Sequence, residues 1–360
     1  MTPRLNTVIS LEDPADVLAA IPHMLGFHPE HSLVVITIHD LDSVPRFGTT
    51  LRVDLPCRSK ERLVAEYLLS GPLKRQRAEA VFTAVVGQQR ACDCDDECCA
   101  PLDSPETSPT GLPHEALAAV LREVFDEAGV TTVHALWAPE IQAGAEWKCY
   151  DAPGCGGILP DPSSSAVAAA MTAAGVVTFR NREELRELIA PEPAGELTLR
   201  SAKLDALVEE RQDGPEQARR DLQTVFAAIR RTAEGKPLTE EDLLQVLLAV
   251  SDSRVRDIAL SASLGELAPA AEQLWLTLVR KAPEPEFADV AALLAFAAYL
   301  RGEGALASVA LERIEQTRPE HRLGTLLRRA LDSGITPTEL AAVARDAAED
   351  ARALLAEGGA

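Results

Sequence analysis

Aromatic residues are scarce in this chain: Phe, Tyr and Trp make up 4% of its 360 residues. A core short of large rings rests on Leu, Val, Ile and Ala, which let helices lie close together. An excess of positive charge is missing too. The formal net charge is −21, from 35 Lys and Arg against 56 Asp and Glu, and such a field repels phosphate backbones and anionic lipid. The run Lys74-Arg75-Gln76-Arg77 is short, and Arg219-Arg220 and Arg230-Arg231 stand among acids in helix-like segments, so they read as solvated helix faces. Neither nucleic acid nor a membrane is expected as a partner. The most apolar stretch, AALLAFAAYL at 291–300, falls well short of the roughly 20 residues that span a bilayer. The opening MTPRLNTVISLEDP lacks the apolar segment of a secretory leader, so a cytoplasmic location is expected. No P-loop, no dinucleotide fingerprint and no G-x-S-x-G elbow occurs, which leaves phosphate, nicotinamide and serine-hydrolase chemistry without support.

What is present is a globular composition, 46% apolar and 25% charged, in a length that suggests two domains. In EDPADVLAAIPHMLG, Asp13 is a helix N-cap, Pro14 takes the first helical position and Gly26 suits a left-handed C-terminal position. Pro22 inside this pattern predicts a kink or a split into two short helices. SLVVITIH at 32–39 reads as a strand buried on both faces. In TTLRVDLP, Leu51, Val53 and Leu55 face one way and Arg52 and Asp54 the other, and the short connection makes the two strands antiparallel neighbours. A helix over about 59–70, a strand at 80–87, an amphipathic helix through Leu117–Phe125, strands at 131–138 and 145–150, a Pro/Gly-rich loop after 150 and helices near 163–174 and 182–190 complete a layered α/β domain, residues 1–192.

PEPAGE at 191–196 punctuates the chain. Beyond it the period is helical throughout, which predicts an all-α bundle over 197–358. Thr239 with Asp242 resembles a capping box, and APEPE at 282–286 separates two helices. Leu294, Ala295, Gly302, Ala307 and Pro319 fall where a tetratricopeptide unit places its Leu, small residue, Gly, Ala and Pro, so this end is loosely tetratricopeptide-like.

Three groups of residues carry chemistry. ACDCDDECCA at 91–100 holds Cys92, Cys94, Cys98 and Cys99, enough soft ligands for a tetrahedral zinc or copper(I) site in a reducing compartment. The surrounding acids attract a cation but raise thiol pKa, which disfavours thiolate catalysis. A redox switch and a loop without chemistry are the alternatives. Cys149 and Cys155 would complete a two-loop thiolate site only if the long loop folded back, since Cys155 is expected at the opposite end of the sheet. Second, His28-x2-His31 in the GFHPEHS turn can set two imidazoles on one rigid mouth, the alternative being a turn whose Phe27 plugs the core while the histidines are solvated. Third, Arg52 and Asp54 share a strand face and either clamp a small anion or pair with each other.

The residues DPADVLAAIPHMLGFHPEHSLVVITI, LRVDLP, Trp147 and Tyr150 before a Pro-x-Cys turn, SSSAVAAAMTAAG, SDSRVRDIAL, LWLTLVRKAP and GALASVALERI together resemble the actinobacterial domain of unknown function family 4192. The Gly26-Phe27-His28-Pro29 turn is the most specific landmark. The resemblance implies neither substrate nor catalytic residues. Relatives tend to carry Tyr-x-Cys and a Cys-Cys-Pro turn, where this chain has Cys149-Tyr150 and Cys155-Gly156-Gly157.

No catalytic constellation emerges, so the first expectation is an interaction or adaptor protein that binds a protein partner through its helical domain, with a cysteine-loop zinc site as an added feature. The alternative is an enzyme or small-ligand sensor with its site at the GFHPEHS turn, using His28, His31, Arg52 and Asp54.

Overall fold

The computed structural model describes residues 13–357 except 42, 89–110, 153, 174 and 212–213. Its first element shows how local signals set an element's bounds. Helix α1 (Pro14–Leu25) starts where the Asp13 carboxylate accepts from the Ala15 N–H at 2.8 Å, and stops at Gly26, whose φ of 83° is left-handed. The helix is not split at Pro22 as the sequence suggested. Losing one backbone donor there is outweighed by the burial of Val17, Leu18 and Ile21 on the sheet, and Pro22 is itself buried.

Six strands form one sheet in the order β2-β1-β3-β4-β5-β6. They are β1 (Ser32–His39), β2 (Arg46–Asp54), β3 (Ala80–Val86), β4 (Thr131–Ala138), β5 (Glu146–Cys149) and β6 (Gly156–Ile158). The β3–β4 pair is parallel and the others are antiparallel, so the sheet is mixed. Parallel neighbours need a crossover, which α4 (Glu115–Glu127) supplies. The sheet has an apolar cluster on each face. Val34, Ile36, Phe82, Ala84 and Leu136 pack with Val17, Leu18 and Ile21 of α1. Leu33, Val35, Val81 and Val85 pack with Leu117, Leu121 and Phe125 of α4 and with Ala65 and Leu68 of α2 (Glu61–Leu68). Both faces covered explains why β1 and β3 are near-continuous apolar runs. A short helix α3 (Lys74–Gln76) leads into β3, and α5 (Ala166–Ala173) packs on α1.

Strand β6 lies where the Pro/Gly-rich pattern after residue 150 predicts a loop. Its glycines hide it from strand propensity, and the hairpin requires them: a Cβ on Gly156 would lie 2.5 Å from the Trp147 carbonyl oxygen.

The chain divides into two compact units between Arg182 and Glu183. Residues 183–192, grouped with the sheet by sequence, are tied to helices. Arg186 reaches Glu312, Arg313 donates to the Ile189 carbonyl at 2.7 Å, and Glu192 pairs with Arg200 and Lys281. The described part of the second unit is helical: α6 (Arg182–Leu188), α7 (Ala194–Glu210), α8 (Pro215–Ala233), α9 (Glu240–Val250), α10 (Ser253–Ala259), α11 (Ala268–Lys281), α12 (Phe287–Arg301), α13 (Gly304–Thr317), α14 (Arg322–Asp332) and α15 (Pro337–Glu357). Thr239 and Asp242 make the capping box of α9. Helix α12 is buried from Phe287 through Tyr299 and is the hub against which α11, α13, α14 and α15 pack. Among the described residues no helix is long and apolar enough to cross a membrane.

Candidate functional site

Strand direction gathers the chemistry-bearing residues of the α/β unit. Parallel β3 and β4 both end at the same edge of the sheet, at Val86 and Ala138. Antiparallel β1 begins there, with Ser32 opposite Val86, and β2 finishes there, with Asp54 opposite Ser32. The GFHPEHS turn, the Gly87-Gln88 step and the end of β2 therefore meet at one mouth.

The turn is braced from both sides. Phe27 is buried and bridges Phe179, whose N–H donates to the Gly26 carbonyl at 2.8 Å while the His28 N–H donates to the Phe179 carbonyl at 3.1 Å. The Ser32 hydroxyl donates to the Glu30 carbonyl at 2.7 Å and accepts from Arg52 Nε at 2.8 Å. Arg52 also pairs with Asp54 at 2.5 Å. Arg52 is 15% exposed and Asp54 78% exposed, so the guanidinium is a strut under the turn and the carboxylate is its solvated counter-ion. The shared strand face read from the sequence is thus an ion pair that includes Ser32.

The two histidines of the turn have different partners. His28 meets the Ile141 carbonyl through Nδ1 at 3.2 Å. His31 has a left-handed φ of 43° and lies over Gly87, where a Cβ would come within 2.9 Å of its Nδ1. The structure sets beside His31 a residue that the sequence reading did not single out, His114. It also has a left-handed φ, 58°, at the N-terminus of α4. Burial lowers the His114 pKa, a hydrogen bond to the Gln88 backbone opposes that shift, and the nearby His31 adds to it. The Gln88 bond occupies one ring nitrogen, and Nε2 is buried with no hydrogen-bond partner among the described residues. The available signal for His114 was its place at the far foot of a long connection that leaves the same strand end.

A second feature lies along β5 and β6. A depression of about 570 Å³ is lined by Leu112, Lys148, Cys149, Cys155 and Ile158 among others. Tyr150 donates its hydroxyl to the Pro113 carbonyl at 2.6 Å, and burial, with Glu115 nearby, pushes that phenol far above its ordinary pKa. Residues 111–113 are therefore beside the β5–β6 hairpin. Cys155 is not at the opposite end of the sheet, because β6 turns back and sets it against Cys149, itself opposite Leu136 near the carboxyl end of β4. Cys92, Cys94, Cys98 and Cys99, read as zinc ligands, lie outside the described residues. Among those described, no three His, Cys, Asp or Glu side chains are grouped to hold a metal ion.

Residues 14–338 fit the model of a family described as "Domain of unknown function (DUF4192)". No curated protein and no solved structure matches the chain.

Proposed function

Since the chain belongs to the DUF4192 family, whose description names no reaction, we propose from its geometry that it senses a small cationic ligand at the carboxyl ends of β3 and β4. One observation carries this reading: the buried, unpartnered Nε2 of His114, in a ring whose other nitrogen is committed to Gln88. Burial disfavours protonation, so the ring offers a lone pair, which an N–H donor or a metal ion satisfies. His31 supplies a second imidazole alongside. The net charge of −21 draws cations toward the surface. Open α/β sheets commonly bind ligands outside the carboxyl ends of their strands. The reading assigns binding and no turnover. A cytoplasmic location and the actinobacterial origin implied by the resemblance belong to the same proposal.

Titration calorimetry on the full chain tests it, with Cys92, Cys94, Cys98 and Cys99 replaced by serine so that loop thiolates do not report. The probes are zinc chloride and, separately, 1,4-diaminobutane. One saturable site for either probe is expected, weakened about tenfold or more by His114→Ala. No saturable binding of either, or binding indifferent to His114→Ala, overturns the proposal.

The adaptor reading is second. Leu326 on α14 and Val343 on α15 are exposed apolar residues that favour it, and the pair α12–α13, with Gly302 between and Pro319 after, is the part that would serve as its tetratricopeptide-like scaffold. It is the weaker because a tetratricopeptide unit keeps an open face for its partner, whereas α12 is covered on every side.

A further inference from the structure

We propose that Cys149 and Cys155 form a thiol–disulfide site: two thiols set against each other across the β5–β6 hairpin, which close to a disulfide in exchange with a low-molecular-weight disulfide. This is independent of the ligand site at His31 and His114.

The juxtaposition comes from the hairpin register. Trp147 faces Gly157 and Lys148 faces Gly156, so Cys149 faces Cys155, and the Cys149 N–H donates to the Cys155 carbonyl at 3.1 Å. Facing residues of an antiparallel pair have Cα atoms about 4.5–5.5 Å apart, inside the roughly 4.4–6.8 Å range found in disulfides. Both side chains pack on the same apolar cluster, so they project from the same face of the hairpin. The Cys149 thiol is close enough to raise the Cys155 pKa. The glycines hold this register tightly: a Cβ on Gly156 would strike the Trp147 carbonyl, and one on Gly157 would lie 3.1 Å from Trp147 Nε1. Cys149 Sγ also donates to Asp151 Oδ2 at 3.4 Å. That carboxylate is fixed by the Ala135 N–H and by Arg122. Cys57, the other described cysteine, has the Ser59 hydroxyl beside it at 3.2 Å instead of a thiol.

The exchange has two steps. Cys155 is the more exposed of the pair. Its thiolate attacks one sulfur of the small disulfide and expels a thiolate, which takes up the proton Cys155 gave to solvent. The Cys149 proton leaves by way of Asp151. Cys149 then attacks Cys155 Sγ and expels the second small thiolate, which is protonated in turn. Two protein S–H bonds become one S–S bond, and the small disulfide is reduced to two thiols. Burial, together with the Cys149 neighbour, raises the Cys155 pKa, so the first step accelerates as pH rises above neutrality.

The test uses the full chain in mixtures of oxidised and reduced glutathione, quenched by alkylation, with peptide mapping of residues 149–180. An intrapeptide 149–155 disulfide is expected in the wild type. Its effective concentration, read from the glutathione ratio at half conversion, is expected to be about tenfold or more higher in the folded protein than in urea. Cys149→Ser is expected to accumulate a mixed disulfide on Cys155. The proposal is overturned if no 149–155 disulfide forms at any ratio, if wild-type protein stops at the mixed disulfide, or if folding gives no advantage over urea. The wild-type comparison stands even where a serine variant does not fold.

Discussion

His321 Nε2 donates to Asp289 Oδ1 across 3.0 Å in the interior of the helical unit, because the other ring nitrogen, Nδ1, already accepts from the Gly324 N–H at 3.1 Å. The tautomer is set by a helix terminus: His321 caps α14 with one nitrogen and holds the Asp289 carboxylate with the other. Arg256 completes the cluster with a bond to the same oxygen at 2.7 Å.

This cluster gives the helical unit an acid limit. Burial alone would raise the Asp289 pKa, but bonds from His321 and Arg256 outweigh it and hold the carboxyl below its ordinary 3.8. A depressed folded value contributes stability above the unfolded value, lost as pH falls through the folded one. Urea midpoints are expected to drop below about pH 4 in the wild type. Asp289→Asn should cost about 1–3 kcal/mol at pH 7, since it leaves the buried Arg256 with Asp257 as its remaining carboxylate partner, and should flatten that acid limb. A variant with an unchanged pH profile would remove Asp289 from this role.

Arg52 and Asp54 should differ sharply as mutational sites although they form one ion pair. Asp54→Ala removes an exposed partner and is expected to cost under about 0.5 kcal/mol. Arg52→Ala removes the strut beneath Ser32 and Glu30 and should cost about 2 kcal/mol. Equal losses in chemical denaturation would mean that the pair, and not the strut, is what matters.

Gly87→Ala tests the contact that seats His31. The backbone there has φ 131°, and the new Cβ would lie 2.9 Å from His31 Nδ1 and 3.2 Å from its Cα. A loss of about 1–3 kcal/mol is expected, with a shift in the His31 and His114 imidazole resonances. Unchanged resonances would place His31 elsewhere.

Tyr150→Phe probes the tie between the β5–β6 hairpin and residues 111–113. The Pro113 carbonyl loses its 2.6 Å donor, so a cost of about 1–2 kcal/mol is expected. Amide exchange over residues 111–115 should quicken while that of β1 stays the same. Uniform quickening would instead indicate a general loss of stability.

Much of the fold was legible because its signals are local. The β-branched runs of β1 and β4 give Ser32–His39 and Thr131–Ala138 at their observed bounds, and the cap residues of α1 and α9 name themselves. Strand β6 was not legible, since a Gly-Gly-Ile segment is a strand only by virtue of the Trp147 backbone it lies against. The site was legible in part. Arg52 and Asp54 follow from strand alternation, but the strut under Ser32 depends on a hydroxyl brought across by β1–β2 pairing. The His31–His114 neighbourhood was legible only through the strand end that both flank, as 83 positions of sequence separate the two and the parallel β3–β4 pairing closes that distance. Residues 28 and 31 are close in sequence, yet the backbone turn at His31 sends the two rings to different partners.

The burial of α12 on all sides has a consequence for how the chain tolerates damage. A helix with one apolar stripe can lose a neighbour and still shed its polar face to water, but FADVAALLAFAAYL has no polar face to offer. Proteolysis or premature termination before α14 would uncover the part of α12 that packs on α14 and α15, with the Tyr299 hydroxyl stripped of its acceptors on Ala330 and Ile335. Chains cut before α14 should therefore partition into aggregates or be degraded and not persist as partly folded species.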